Sequence, residues 1–257
     1  MTRVLIVGHG VVGKNLAKEL KRLKPHVYDK YKNEFITRGC VHTGKDVRPT
    51  KHYDIAFICV DTPRTADNPC DTTEVVNAIR ENDANVYVIK STVLPLTTER
   101  LRIATGKRIV FSPEYYGSTQ HANNYDFDFT ILGGPREDCI PVIQALQKVY
   151  DGRHQFRITD SRTAELAKYM ENSWIATKVS FCNQFFDLAE SLDVCYEELR
   201  ELFLLDERVS PSHTYVMRDA PYWDSHCLNK DVPALTDVYD APLLDAVIRF
   251  NEARKTQ

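Results

Sequence analysis

Val4-Leu5-Ile6-Val7-Gly8-His9-Gly10-Val11-Val12-Gly13 joins a short apolar run directly to three spaced glycines. The run is continuous and rich in β-branched residues, the pattern of a strand buried on both faces. Leu16, Leu20 and Leu23 then fall on one face of a helix starting near Gly13. Strand, glycine turn and helix in this order have a mechanical reading. Gly8 permits the tight turn, Gly10 lets the backbone approach a pyrophosphate, and Gly13 lets helix and strand pack closely. The helix N-terminus then faces the phosphates with its unpaired N–H groups.

The alternation continues over the first ~150 residues. Apolar runs recur at 27–28, 55–60, 86–89, 109–111 and 129–132. Between them Val75, Val76 and Ile79 mark one helix, and Val142, Ile143, Leu146 and Val149 another. The pattern predicts an α/β fold, a Rossmann-like doubly wound sheet over residues 1–155. An all-helical central domain over 156–257 follows. From Asp160 to Leu192 there is neither Pro nor Gly, and Asp160 or Ser161 can cap the start. Leu166, Met170, Trp174, Phe181, Phe185, Leu188 and Leu192 recur along it. One long helix over 160–192 is expected, of the kind that joins two domains or forms a homodimer seam. Shorter helices are expected at 196–204 and 241–253, with a loop-rich stretch at 206–235 containing Pro211, Pro221 and Pro233.

Composition narrows the classes. With 257 residues, 27% charged and 43% hydrophobic, the chain reads as an ordinary globular protein, neither disordered nor fibrous. A net charge of -3 argues against a basic nucleic-acid surface. No apolar run approaches the ~20 residues that span a bilayer, and Val4 to Val7 are too few for a signal peptide. The expectation is a cytoplasmic protein with neither nucleic acid nor membrane as partner. Seven cysteines, an odd number without a C-x-x-C, read as free thiols, and no metal site is expected.

Asp29 closes the second strand, 16 residues after Gly13, near the spacing of a ribose-binding acid. An acid there repels a 2′-phosphate and favours NAD over NADP, while neighbouring Lys30 and Lys32 pull the other way. Lys168 and Asn172 are four apart and share a helix face. Together they can hold and polarise a substrate oxygen, although on their own they fit a solvated surface better. Cys227-Leu228-Asn229-Lys230-Asp231 puts a cysteine in the loop-rich stretch beside a cation. Such a neighbour raises the thiolate fraction; an inert, partly buried thiol is the competing reading.

These motifs, in this order, resemble the UDP-glucose/GDP-mannose dehydrogenase family over nearly the whole chain. Val4 to Gly13 resembles its nucleotide fingerprint, and Ile58-Cys59-Val60-Asp61-Thr62-Pro63 with Asp71 its ICVGTP…D segment. Lys90-Ser91-Thr92-Val93 is similar to its KSTV, Ser112-Pro113-Glu114 to its SPE, and Ala164-Glu165-Leu166 with Lys168, Tyr169 and Asn172 to its AELxKYxxN. Asp206 with Arg208 and Val209 resembles DxRI, and Cys227 to Asp231 resembles CxPKD. The stretch from Leu243 to Asn251 and Glu252 resembles the helix that follows.

The resemblance implies NAD-dependent oxidation of a sugar CH2OH to a carboxylate in two hydride transfers. Cys227 would attack the aldehyde and form a thioester. Lys168 and Asn172 would stabilise the oxyanions, Asp231 and Thr92 would handle the water, and Glu114 would assist proton transfer. Glu114, Tyr115, Lys168, Asn172 and Arg208 would contact the substrate, a nucleotide sugar or related sugar, with Arg208 often acting across a dimer interface. Gly8, Gly10, Val11, Val12, Gly13, Asp29, Val60, Thr62, Pro63, Ser91 and Thr92 would hold NAD.

The chain also departs from the family. The second glutamate of the SPE segment falls on Ser118, the glycine pair before the cysteine on Asp224-Ser225, and the proline after it on Asn229. Family members continue for roughly another domain of 100–150 residues. The resemblance therefore casts the chain as a fragment or a natural minimal form. Two other readings stand beside it: a two-electron hydroxyacid dehydrogenase using Lys168 and Asn172, and a non-catalytic NAD- or nucleotide-sugar-binding protein.

Overall fold

Residues 2–37, 39–44, 47–116 and 127–256 are described by a computed structural model. Those up to Lys168 form one compact unit and those from Tyr169 onward a second.

The first unit is built on β1 (Val4–Val7), whose four residues are all buried. β2 (His26–Asp29) and β5 (Tyr53–Ile58) flank it, both parallel to it. Parallel β6 (Ala84–Ile89) and β7 (Ile109–Phe111) extend the sheet. Val4 and Ile6 point into one core with Leu16, Phe57, Val88 and Val142. Leu5 and Val7 point into the other with Ile58, Val75, Ile79 and Ile89. A strand with both faces packed in this way must be apolar throughout. α1 (Val11–Glu19), tightening to a 3-10 turn over Leu20–Leu23, and α4 (Arg136–Leu146) supply the first core. α2 (Thr73–Glu81) and α3 (Thr97–Thr105) supply the second.

The edges differ from a purely parallel design. β2 is followed not by a crossover helix but by an antiparallel hairpin, β3 (Glu34–Thr37) and β4 (Cys40–Thr43). On the far side β8 (Phe129–Gly133) runs antiparallel to β7, and β9 (Gln155–Thr159) pairs parallel to β8. The order among the described residues is β4-β3-β2-β1-β5-β6-β7-β8-β9. The chain leaves β1 toward β2 and later crosses back to β5 on its other side. That reversal opens a crevice at the carboxyl ends of the strands. Gly8, Cys59, Lys90 and Ser112 each donate one further backbone bond to the neighbouring strand, lining up these ends.

α5 (Ser161–Ser191) begins in the first unit and continues into the second. Asp160 caps it, its carboxylate accepting from Thr163 N at 2.9 Å and Thr163 Oγ1 at 2.6 Å. The second unit is helical among the described residues: the rest of α5, α6 (Tyr196–Phe203), α7 (His226–Thr236) and α8 (Pro242–Lys255). Ala176, Val179, Trp223, Leu228, Val232 and Val247 form its larger core. No described helix is long and apolar enough to cross a membrane.

Candidate cofactor and active site

The glycine turn behaves as its spacing demands. Gly8 has φ +97°, and a Cβ there would lie 2.3 Å from Cys59 O. A Cβ on Gly13 would lie 1.9 Å from Gly8 O, so helix and turn meet backbone to backbone. Gly10 has open space where a side chain would project, which leaves room for a ligand to reach its backbone. Val12 packs on the core, and Val11 is exposed.

Beside the turn lies a cavity of about 600 Å³, lined by Gly8, His9, Gly10, Asp29, Tyr31, Val60, Asp61, Pro63 and Asp71 among others. Asp29 is buried at its wall, at the end of β2. Its Oδ2 accepts from His9 N at 2.8 Å and its Oδ1 from Lys32 N at 3.0 Å. Each carboxylate oxygen has two lone pairs, so both can still accept from a ribose hydroxyl. Thr73 holds Asp71 below the usual carboxylate range through its hydroxyl and N–H. Depth, open backbone at Gly10 and an acid at the wall fit a dinucleotide.

Thr62 and Ser91 serve the loops themselves. Thr62 Oγ1 donates to Thr92 O at 2.7 Å, and Ser91 Oγ donates to Val60 O at 2.5 Å. The two bonds tie the loop after β5 to the loop after β6, bringing Val60, Thr62, Pro63, Ser91 and Thr92 together.

A buried polar group lies at the ends of β6 and β7 in the same unit. Glu114 is buried, and its Oε2 accepts from Tyr116 N at 2.7 Å. Lys168, only 5% exposed, sits 4.8 Å from the centroid of the Tyr115 ring. Lys90 donates to Pro113 O at 3.1 Å and Ser112 Oγ at 3.4 Å, anchoring this segment. Burial pushes the Lys90 ammonium down and the neighbouring Cys59 thiol up to about 12. Ser118 lies outside the described residues.

In the second unit Asn172, 4% exposed, donates from Nδ2 to Asp231 Oδ2 at 2.7 Å. Lys230 Nζ donates to the other oxygen, Oδ1, at 2.5 Å. Asp231 is itself buried, so both oxygens are held by opposite charge or amide. Solvated helix surface is therefore the wrong reading of Lys168 and Asn172: both are buried, one turn apart on α5.

Cys227 does not stand in a loop. It occupies the first turn of α7, half-buried, and Ser225 Oγ caps that helix by accepting from Leu228 N at 3.1 Å. Cys227 and Asp231 are one turn apart on a shared face. Pro233 lies inside α7 and removes one helical hydrogen bond, which is why the stretch reads as loop. Asp224 and Asn229, both departures from the family pattern, join each other at 2.5 Å. Trp223, just before this segment, is clamped by Asn251. Trp223 N donates to Asn251 Oδ1 at 2.8 Å, and Asn251 Nδ2 donates to Trp223 O at 3.0 Å. Arg208 stands apart: exposed, it pairs with Asp206 at 2.6 Å.

Nothing in the sequence alone sets His9, Lys90, Glu165 or Trp223 apart as functional. Glu165 is fully buried and accepts from Leu96 N and Thr98 N, both at 2.8 Å, capping α3. Burial pushes its carboxyl up to about 7.

Two family models match the chain. The UDP-glucose/GDP-mannose dehydrogenase family NAD binding domain covers residues 14–153, beginning just after the glycine turn, and the central domain of the same family covers 162–253. A GDP-mannose 6-dehydrogenase of Pseudomonas syringae pv. tomato is 28% identical over 96% of this chain and 64% of its own length. A UDP-glucose 6-dehydrogenase of Rickettsia bellii is 27% identical over 93% of this chain and 59% of its own. The chain thus spans somewhat less than two thirds of these relatives. The fold matches a UDP-glucose dehydrogenase structure from Pyrobaculum islandicum with a TM-score of 0.76 at 22% identity, over 98% of this chain and 68% of that one.

Proposed function

This chain belongs to the UDP-glucose/GDP-mannose dehydrogenase family, with an NAD-binding domain as its first part, and we propose that it oxidises a sugar CH2OH, that of a nucleotide sugar, to a carboxylate through a thioester on Cys227. The observation that carries this reading is the Asn172–Asp231–Lys230 cluster, in which Asn172 and Asp231 are buried and both oxygens of Asp231 are paired, with Asp231 one helical turn from Cys227. A structural helix has no need to bury such a set, because desolvating charges is costly.

In this reading residues 1–155 bind the cofactor and 156–257 carry the thiol. NAD, when bound, accepts a hydride in each of the two oxidations. The alcohol loses a proton as its hydride leaves, giving the aldehyde. The Cys227 thiolate, favoured by its place at the positive end of α7, adds to the carbonyl carbon. Lys168 and Asn172 donate to the resulting oxyanion. Loss of the second hydride leaves the thioester. Water placed by Asp231 and Thr92 attacks it, Glu114 assists the proton transfer, and the carboxylate and free thiol are released. Tyr115 and Arg208 complete the substrate contacts. Each turnover consumes one alcohol, one water and two NAD+, and yields one carboxylate, two NADH and three protons.

The exposed apolar face of α5 supports a homodimer, in keeping with a cytoplasmic enzyme. The test is NADH released per substrate consumed, over UDP-, GDP- and free sugars, for the native chain and Cys227→Ala. Two NADH per substrate, with no acid formed by the variant, is expected. One NADH, unaffected by the substitution, would instead establish a two-electron hydroxyacid dehydrogenase. NAD binding with no turnover would establish a binding protein, the reading that Asp224-Ser225 in place of two glycines favours.

A further inference from the structure

His9 stands between the first two glycines of the turn, and it lines the cofactor cavity. Three contacts fix it. Nδ1 is 2.7 Å from Glu34 Oε2 on β3, its N–H donates to Asp29, and its C=O accepts from Lys32 Nζ. All three partners come from the end of β2 and the hairpin that follows. Glu34 as a carboxylate only accepts, so Nδ1 carries the proton of this bond. The chemistry left to the ring is at Nε2, which has no hydrogen-bond partner among the described residues. A neutral ring presents a lone pair there, and a protonated ring presents a donor.

The charges around the cavity decide which form an anion selects. Carboxylates face it from the end of β2 (Asp29), from the loop after β5 (Asp61 and Asp71) and from α2 (Glu74 and Glu81). The cations on the wall are Lys30 and Lys32, and Lys32 is already engaged by His9 O and Asp29. A diphosphate entering this excess of carboxylate needs a cation close to it. The N-terminus of α1 supplies about half a charge.

We propose that His9 is a cofactor-binding residue: its imidazolium, oriented by Glu34, donates from Nε2 to the diphosphate of NAD, so that binding takes up a proton. This rests on NAD occupying the cavity. Where the ring is already protonated the donor is present and binding is tight. Where it is neutral the proton must be supplied on binding, and affinity falls as pH rises, by up to tenfold for each pH unit.

Calorimetric titration of the full chain with NAD+ tests this, in paired buffers of different ionisation enthalpy. Binding is expected to be about tenfold weaker at about pH 8.5 than at about pH 6, with net proton uptake. His9→Asn should bind weakly at both pH values with no slope. Glu34→Gln, away from the tight turn, should weaken binding severalfold at the lower pH. Adenosine, which has no phosphate, should bind the native chain equally at both. A pH slope that survives in His9→Asn, or a flat native profile, would overturn the role of His9 alone. No NAD binding at any pH would overturn the cavity's assignment and this proposal together.

Discussion

Ile6, Ile58 and Ile89 in the sheet are completely buried, whereas Met170 and Trp174 on α5 are 74% and 61% exposed. The sheet turns its apolar side chains inward because helices of the same unit cover both faces. α5 does the reverse. Its buried positions include Ala164, Glu165, Lys168, Asn172 and Ser180, while Leu166, Phe181, Phe185 and Leu188 join Met170 and Trp174 in the open. Several polar residues on the buried side have work to do there. Glu165 caps α3, Asn172 holds Asp231, and Ser180 accepts from Trp223 Nε1 at 3.1 Å. With much of the inner face given to hydrogen bonds and small side chains, most of the helix's large apolar residues lie outside. Exposed apolar faces of this kind mark interaction surfaces, and a second copy is the cover proposed above.

Four experiments bear on this contrast, in falling order of effect. Gly13→Val drives a side chain into Gly8 O and should cost about 3 kcal/mol or more, measured by urea unfolding. Tolerance of valine would mean that the sheet side is less tightly packed than its contacts require. Asn251→Ala leaves two buried backbone groups of Trp223 unpaired and should cost about 2–3 kcal/mol. A loss under about 0.5 kcal/mol would show that the clamp is dispensable.

Glu165 tests how dry the inner face of α5 is. Its folded carboxyl is raised to about 7, so its stabilising contribution is full below the ordinary glutamate value and is lost as pH rises through 7. Native stability should fall by about 2–3 kcal/mol across that window relative to Glu165→Gln. Parallel profiles for the two proteins would mean a hydrated face. Met170→Glu with Trp174→Ser should change unfolding free energy by about 1 kcal/mol at most at concentrations where the chain is monomeric. The same pair should abolish self-association in sedimentation. Unfolding of the double variant would show that the outer face is core after all.

Legibility follows the same division. β1, β2, β5, β6, β7 and β8 are readable because strands packed on both faces must be apolar. β4 is not, since all four of its residues are exposed and carry no pattern. α3 is missed because Thr98 and Leu101 are its only fully buried side chains. α5 is readable in extent from its unbroken lack of Pro and Gly. Which of its faces is buried is not readable, because hydrophobicity points to the wrong one. Lys168 and Asn172 look like surface when taken alone, as Lys and Asn usually are. Only the order of motifs around them points to the chemistry proposed for them. The glycine turn and the place of Asp29 at the end of β2 are legible because they are local. The contact of His9 with Glu34 depends on a hairpin that the sequence hides.

β4 is one of the two edge strands of the sheet among the described residues, β9 being the other. An edge strand carries a row of unsatisfied N–H and C=O groups, a template on which another chain can grow. β4 is only four residues long, so an intruding strand finds few bonds to make before the chain turns away. Its shortness is a form of colloidal protection. An engineered extension of this hairpin, harmless to the core, would trade that protection for a sticky border and lower solubility.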